Sequence, residues 1–280
     1  MIASFRAEAL KSRKRPGNWI LFGLLLAILV LLGYVLTYVI FTHPPRRLES
    51  GGVPPSVLKH EDFPENLLPM VLASSSTFGA AIMIIFGALS TASEYGWLTV
   101  QTILVQKPGR TAVLAGKLAY LGIAALVMTI LLLAAGALTS YVLASIDGSA
   151  ISWPASSDIV KGFAVLWLEL SVWTGFGMFF GILFRSAAGA IGGGLTYLFV
   201  AEALLGQLLR NTDYVKEVLK FLPGINAGAV NAIFPYTFRN PNALTPLVSA
   251  GRGVITLAAW LTLFVLFSAL IFRYRDVTGG

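Results

Sequence analysis

The sequence predicts an all-α integral membrane protein with six transmembrane helices. Of its 280 residues, 56% are hydrophobic and 12% are charged, and the mean hydropathy is +0.79, whereas a soluble domain carries roughly 25% charged residues. The apolar residues also come in blocks of about 20, the number of helical residues that crosses a bilayer core of about 30 Å. The chain has no cysteine, which excludes disulfides, thiolate metal sites and cysteine nucleophiles.

Six apolar stretches are long enough to span a membrane. They cover residues 19–41, 67–89, 118–142, 162–184, 187–209 and 254–272. The fourth and fifth nearly join, but one helix of that length would overshoot the bilayer twofold at about 1.5 Å per residue, so we expect a tight turn at Arg185-Ser186. The first stretch has no small-residue cleavage signal after it, which predicts a retained span rather than a signal peptide.

Charges beside the spans predict that both termini are cytoplasmic. Residues 1–18 carry five basic side chains against Glu8 alone, and the first loop after span one is acidic, as the positive-inside rule expects. The net charge of +7 is explained by such flanks, because the basic residues form no aromatic-interleaved stripe of the kind that binds nucleic acid. Residues 210–253 depart from the rule with an excess of basic residues, but the rule is weaker for longer loops.

The segment 210–253 also contains short helical patterns. Val215, Val218, Leu219 and Leu222 recur at helical spacing before Pro223-Gly224, too few residues to cross a bilayer. We interpret the segment as interfacial or re-entrant helices at the outer surface, with an ordinary structured loop as the alternative.

Between the second and third spans, residues 92–110 predict a short amphipathic helix. Trp97, Val100, Ile103 and Leu104 share one helical face, and Pro108-Gly109 ends the pattern. Such a helix either lies among lipid headgroups or docks in a groove of a soluble partner. The spacing alone leaves both open.

The block from Glu94 to Lys117 resembles the segment that follows the second span in ABC-2 type transporter permeases. The matching residues are Glu94-x-Gly96, Thr102-x-Leu104, Pro108-x-Arg110 and Gly116-Lys117, with Trp97 where the family often has threonine. In that family the segment is the coupling helix. The resemblance therefore implies an ATPase-coupling role for Glu94, Tyr95, Gly96, Trp97, Thr102, Leu104, Pro108 and Arg110.

Three further segments are similar to parts of the same family. Phe5, Glu8 and Lys11 resemble its amphipathic connecting helix before the first span, here residues 1–18. The fourth-to-fifth turn at Arg185-Ser186 and the outer segment around Pro223 resemble their family counterparts. The resemblance implies the permease of an exporter in a bacterial plasma membrane. It implies two such chains, identical or paralogous, and two copies of an ABC ATPase.

This chain contains no phosphate loop, because Gly116-Lys117 is followed by Leu118 and lacks the required preceding spacing. ATP and Mg are therefore expected on the partner ATPase, and we expect no catalytic residue and no cofactor on this chain. Nor is a metal site predicted, since Pro64 stands where His60-Glu61 would need a second histidine. The transported substrate does not follow from the sequence.

Polar residues inside the predicted spans suggest a translocation path. Glu169 and Glu202 are costly in a bilayer unless they are paired, hydrated or protonated, and Ser75 and Thr77 place hydroxyls in the second span. Glu169, Ser75 and Thr77 are candidate path residues. Alternatively, the carboxylates pair locally and the hydroxyls bond to their own helix.

Two glycine pairs, Gly177-x-x-x-Gly181 and Gly189-x-x-x-Gly193, permit close helix approach and are expected to pack the fourth and fifth spans together. Two other classes of function remain as alternatives. A secondary transporter would favour inverted repeats and broken helices, and a membrane-integral enzyme would need clustered catalytic groups at membrane depth.

Overall fold

A computed structural model describes residues 2–44, 54, 58–96, 109–208, 212–237 and 245–274. All regular elements in these ranges are helical, and six helices are long and apolar enough to cross a membrane. The prediction of an all-helical, multi-pass membrane protein is confirmed. Spans 1 to 6 are Pro16–Thr42, Pro64–Glu94, Thr111–Asp147, Ser156–Phe184, Ala187–Leu204 and Ala250–Arg273.

The individual α-helices are shorter than the spans in several places. In chain order they are α1 (Ile2–Lys14), α2 (Pro16–Ala27), α3 (Leu36–Thr42), α4 (Leu67–Ser74), α5 (Ala80–Gly96), α6 (Arg110–Asp147), α7 (Ser156–Phe184), α8 (Ala187–Thr196), α9 (Gly206–Leu208), α10 (Asp213–Leu219), α11 (Pro223–Asn231) and α12 (Ala250–Tyr274). Two short 3₁₀ turns, Lys59–Asp62 and Pro64–Asn66, lead into span 2.

Three spans contain a π-helical segment between their α-helical parts: Ile28–Val35 in span 1, Ser75–Gly79 in span 2 and Tyr197–Leu205 in span 5. A π-helix widens the turn and changes the direction of the side chains that follow, and such segments are often found at functional sites. The sequence pattern did not predict them, because an apolar helix keeps its composition whichever hydrogen-bond spacing it adopts.

Local sequence explains where several helices begin and end. Pro16 opens α2, where its missing N–H costs nothing, and Gly148 ends α6 in the left-handed conformation (φ 71°). Arg185 adopts the same region (φ 53°) between spans 4 and 5, and the Ser186 hydroxyl then accepts from the Gly189 amide. The chain thus reverses at Arg185-Ser186, as helix length requires.

The core of the bundle is the contact between spans 2 and 4. A Cβ on Gly177 would collide with the Ile84 carbonyl, and one on Gly181 would collide with the Thr91 hydroxyl. The expectation that this glycine pair packs against span 5 is therefore wrong. On span 5, Gly193 does face span 4, through Phe180 and other aromatic side chains.

Spans 1, 5 and 6 form the periphery of the bundle. In the most apolar stretch of each of these spans only 17%, 22% and 17% of the residues are buried, whereas the value is 61% in spans 2 and 4. Their apolar outer faces are therefore the surfaces that meet lipid or another chain. We call the end of the bundle that carries α1 the α1 end, and the end that carries α10 and α11 the α11 end.

Candidate functional site

Four charged side chains meet at the α1 end of the bundle. Glu94 lies at the end of span 2, Lys117 lies near the start of span 3, and Glu8 and Lys11 lie on α1. The Lys117 Nζ is 2.9 Å from Glu94 Oε1 and 3.0 Å from Glu8 Oε1. The Lys11 Nζ is 2.7 Å from Glu8 Oε1 and also pairs with Glu94. We call these four residues the charged cluster.

The charged cluster is largely removed from solvent. Lys117 is 3% exposed, Glu94 6% and Glu8 7%, and the Lys117 ammonium also donates to the Ser90 carbonyl at 2.7 Å. Burial lowers the pKa of Lys11, but the Glu94 and Glu8 carboxylates outweigh this effect and raise it. Two carboxylates and two ammonium groups balance, which offsets the desolvation cost that either sign would carry alone.

Close packing holds α1 on span 3. At Gly116 a Cβ would stand 2.5 Å from the Ser4 Cβ, so only glycine allows this approach. The Phe5 ring lies 6.4 Å from that of Tyr120, whose hydroxyl bonds to Ser12. The predicted connecting-helix residues Phe5, Glu8 and Lys11 thus pack against the spans themselves.

The residues of the predicted coupling segment divide into two groups. Glu94, Tyr95 and Gly96 end α5, and Arg110 begins α6. Trp97, Thr102, Leu104 and Pro108 lie outside the described residues. The charged cluster therefore lies close to both ends of segment 97–108. Glu94 forms ion pairs with Lys11 and Lys117 there, a structural role that the family resemblance did not imply.

Sequence reasoning missed Lys117 as a member of this cluster. It appeared only as the second residue of Gly116-Lys117. The sequence contains no clear signal, because Lys117 directly precedes the apolar stretch 118–142 and so resembles an ordinary flanking charge. The structure begins span 3 at Thr111 and places Lys117 inside the span, where a lysine needs acidic partners.

A cavity of about 330 Å³ lies nearer the α11 end. Two of its walls are the π-helical segments of span 2 and span 5, which contribute Ser76 and Thr77, and Phe199 and Glu202, respectively. Helix α11, Gly206 and residues 246–247 complete the lining. We call this space the acidic cavity, because Glu202 is the one ionisable residue among those that line it.

The Glu202 carboxylate fixes the start of α11. Its Oε1 accepts from the Tyr197 hydroxyl at 2.9 Å and from the Gly224 amide at 3.0 Å. A carboxylate here satisfies N–H groups that the first turn of a helix leaves open. Its Oε2 is buried and has no hydrogen-bond partner in the described part of the chain.

Glu169 lies behind the wall of the acidic cavity and is 1% exposed. The Ser76 hydroxyl lies 3.4 Å from its Oε2 and accepts from the Asn231 amide nitrogen at 2.7 Å. Oε1 of Glu169 has no partner among the described residues. Spans 2 and 4 and helix α11 are thus joined through one serine hydroxyl.

Of the three predicted path residues, Thr77 lines the acidic cavity and Glu169 reaches its wall through Ser76. Ser75 is 2% exposed and does not belong to the lining. Its neighbour Ser76 bonds across helices rather than to its own helix. Ser76 and Asn231 could not be selected from sequence, since their pairing depends on where α11 packs.

In the described ranges no group of three or more His, Cys, Asp or Glu side chains could hold a metal ion. The described residues instead form two chemically different sites. The charged cluster at the α1 end pairs opposite charges, and the acidic cavity nearer the α11 end has one carboxylate in a mostly apolar lining.

Comparison with known proteins identifies the family. The model of a family described as "Protein of unknown function (DUF2705)" matches residues 67–278, from the start of span 2 onward. The chain belongs to this family. No curated protein matches it.

Proposed function

We propose that this DUF2705 member is the membrane-spanning permease of an ATP-driven exporter whose ATPase is a separate polypeptide. The observation that carries the proposal is the charged cluster, in which buried ion pairs tie α1 to the end of span 2 and the start of span 3. These are the points through which a coupling segment at 97–108 would transmit a push from a soluble partner. The family name adds no functional information.

In this proposal the ends of spans 2 and 3 and helix α1 move together. A force on segment 97–108 acts on Gly96 and Gly109, and the charged cluster connects those ends with α1 as one body. Span 2 continues from the cluster to Ser76 and Thr77 at the acidic cavity. Displacement of span 2 at the α1 end therefore changes the cavity at the π-helical segment, where a helix bends most readily.

In this proposal the α1 end faces the cytoplasm and the α11 end faces outward. Helix α11 packs against span 6 and through Glu202 against span 5, and we interpret it as re-entrant. Two copies of the chain, or this chain and a paralogue, enclose the path, and each binds one ATPase. The exposed faces of spans 1 and 5 supply the apolar surface for a second copy.

A gradient-driven carrier is the second candidate. The observation that favours it is the pair of buried carboxylates, Glu169 and Glu202, which have no salt-bridge partner in the part of the chain that the structure describes. Such groups can carry protons in transporters. The three π-helical interruptions also bring the spans closer to the discontinuous helices of that class.

Site-specific crosslinking tests the ATPase partnership. A photoreactive group attached to cysteine at Thr102, in this cysteine-free chain, is activated in native membranes, and the crosslinked protein is identified by mass spectrometry. We expect a polypeptide with a phosphate loop at one copy per permease. The matched control is cysteine at Ala150, at the opposite end of span 3, which should not capture it.

Two outcomes would contradict the proposal. One is capture of no phosphate-loop protein from Thr102 while the tagged permease is intact and correctly inserted. The other is equal capture from both positions, which would indicate random collision. Substitution Gly96→Pro, which interrupts the end of α5, should abolish the specific crosslink without loss of membrane insertion.

A further inference from the structure

We infer that the acidic cavity binds a monovalent organic cation with an apolar body, such as a substituted alkylammonium, and that Glu202 provides its counter-charge. The inference names the substrate class of the proposed transport path and so rests on the proposed function. The charge, the lining and the size of the cavity all favour this class of ligand.

The acidic cavity has a negative charge and no positive charge among its lining residues. Glu202 lies in the wall, and the lining contains no lysine, arginine or histidine. The Oε2 atom of Glu202 is buried and has no hydrogen-bond partner among the described residues. An unpaired carboxylate at membrane depth is unfavourable, so a positive charge that enters the cavity is stabilised where a neutral or negative one is not.

Most of the remaining lining is apolar. Leu198, Phe199, Ile225 and Leu247 face the same space, and Phe199 adds an aromatic ring. A hydrophobic body is thus removed from water by the walls, and an aromatic ring can add a cation–π interaction with an ammonium group. Ser76 and Thr77 add two hydroxyl-bearing residues to the lining.

Size and donor set exclude a bare metal ion as the natural occupant. A volume of about 330 Å³ lies at the lower end of the range of small-molecule sites, roughly 300–1,000 Å³. One carboxylate and two hydroxyls are fewer ligands than the six to eight oxygens of a calcium site or the near-octahedral shell of magnesium. A single counter-charge in an apolar space matches one alkylammonium group instead.

The geometry of the two walls supports a binding role. Both polar walls are π-helical. Among the described residues the remaining π-helical segment lies in span 1. The wide turns of span 2 bring Ser76 and Thr77 to the cavity, while those of span 5 bring Phe199 and Glu202. Energetically costly irregularity on both sides of one cavity indicates that the cavity shape itself is required.

Equilibrium binding with a matched pair of probes tests the inference. The purified full chain, without any ATPase, is placed in nanodiscs of zwitterionic phosphatidylcholine and titrated with radiolabelled benzyltrimethylammonium. Competition with neopentylbenzene, which replaces the charged nitrogen by carbon at nearly the same shape, isolates the contribution of charge. We expect saturable binding of about one cation per chain and weaker competition by the neutral isostere.

Substitutions locate the site. Glu202→Gln keeps the acceptor for Tyr197 and Gly224 but removes the charge, and should weaken cation binding by at least about tenfold. Ala203→Phe, at an exposed lining position, should block the cavity without disturbing the bundle. The control is Glu217→Gln on α10, an exposed carboxylate paired with Lys220, which should leave binding unchanged. Melting temperatures establish that each variant is folded.

Several results would overturn the inference: equal affinity for the neutral isostere, unchanged cation binding in folded Glu202→Gln, or no saturable binding to the folded wild-type chain. None of these bears on the ATPase partnership, because the assay contains no ATPase. Conversely, cation binding that depends on Glu202 would stand even if Thr102 crosslinks no ATPase, and would then support the gradient-driven candidate.

Discussion

Replacing Lys117 by methionine tests whether the charged cluster holds α1 to the spans. The change keeps side-chain length but removes one of the two ammonium groups that pair with the Glu8 and Glu94 carboxylates, and so takes one positive charge out of a largely buried site. Because Lys117 is 3% exposed and lies 2.9 and 3.0 Å from the two carboxylates, its loss should cost about 3–5 kcal/mol. We expect Glu94→Gln to be costly for the opposite reason, a surplus of positive charge.

The double variant Glu94→Gln/Lys117→Met distinguishes electrostatic balance from simple packing loss. It leaves Glu8 and Lys11 as a neutral pair at 2.7 Å, so it should be less destabilised than the sum of the single variants by about 2 kcal/mol or more. Reversible unfolding in mixed detergent micelles measures each stability. The matched control is the pair Asp158 and Lys161, whose side chains are 45% and 61% exposed.

The exposed control pair should show a coupling energy below about 1 kcal/mol. If the Glu94 and Lys117 effects are additive, or if Lys117→Met is as stable as the wild type, the cluster does not hold α1 in place and α1 does not move with spans 2 and 3. Limited proteolysis provides a second measurement. Helix α1 should become accessible to protease in the single variants and remain protected in the double variant.

Three further predictions concern other parts of the bundle. Burial raises the pKa of Asp62 to about 7, so between pH 5 and 7 the folded state holds a proton that the unfolded state has released. The free energy of unfolding of the wild type should therefore fall by roughly 3 kcal/mol as the pH rises from 5 to 8. Unfolding measured as a function of pH should show that Asp62→Asn removes this dependence. Gly177→Ala should destabilise by about 1–3 kcal/mol through collision with a span 2 carbonyl, whereas Gly122→Ala, with open space around it, should be neutral in the same assay. Single cysteines at Lys14 and Ala150 should react with an impermeant thiol reagent on intact cells only at Ala150; labelling of Lys14 from outside would refute the orientation.

The number and approximate position of the six spans were predictable, because a membrane span leaves a continuous apolar signal in the sequence. Helix ends were less so: α6 begins at Arg110 and α7 at Ser156, before the apolar stretches at 118 and 162. The first turns of these helices are polar and extend beyond the bilayer at little energetic cost. A hydropathy pattern detects only the apolar part of the helix and therefore misses them.

Contacts between residues that are distant in the chain could not be predicted from sequence patterns. Gly177 was assigned to the neighbouring span in the chain, but its small surface faces span 2, since helix contacts follow packing rather than order. Lys117 pairs with Glu8, more than a hundred residues away. Thr77 was predicted as a path residue from its hydroxyl, whereas Ser76 acquires its role only when α11 brings Asn231 to it.

The rate of ATP hydrolysis by the crosslinked partner, reconstituted in proteoliposomes with and without this chain, tests the central claim most directly. We predict that wild-type permease stimulates the ATPase and that Gly96→Pro, inserted normally, does not. The same liposomes without the ATPase should show no flux of benzyltrimethylammonium under a proton or sodium gradient. An ATPase rate that is indifferent to the permease, together with gradient-driven flux by the chain alone, would contradict the account.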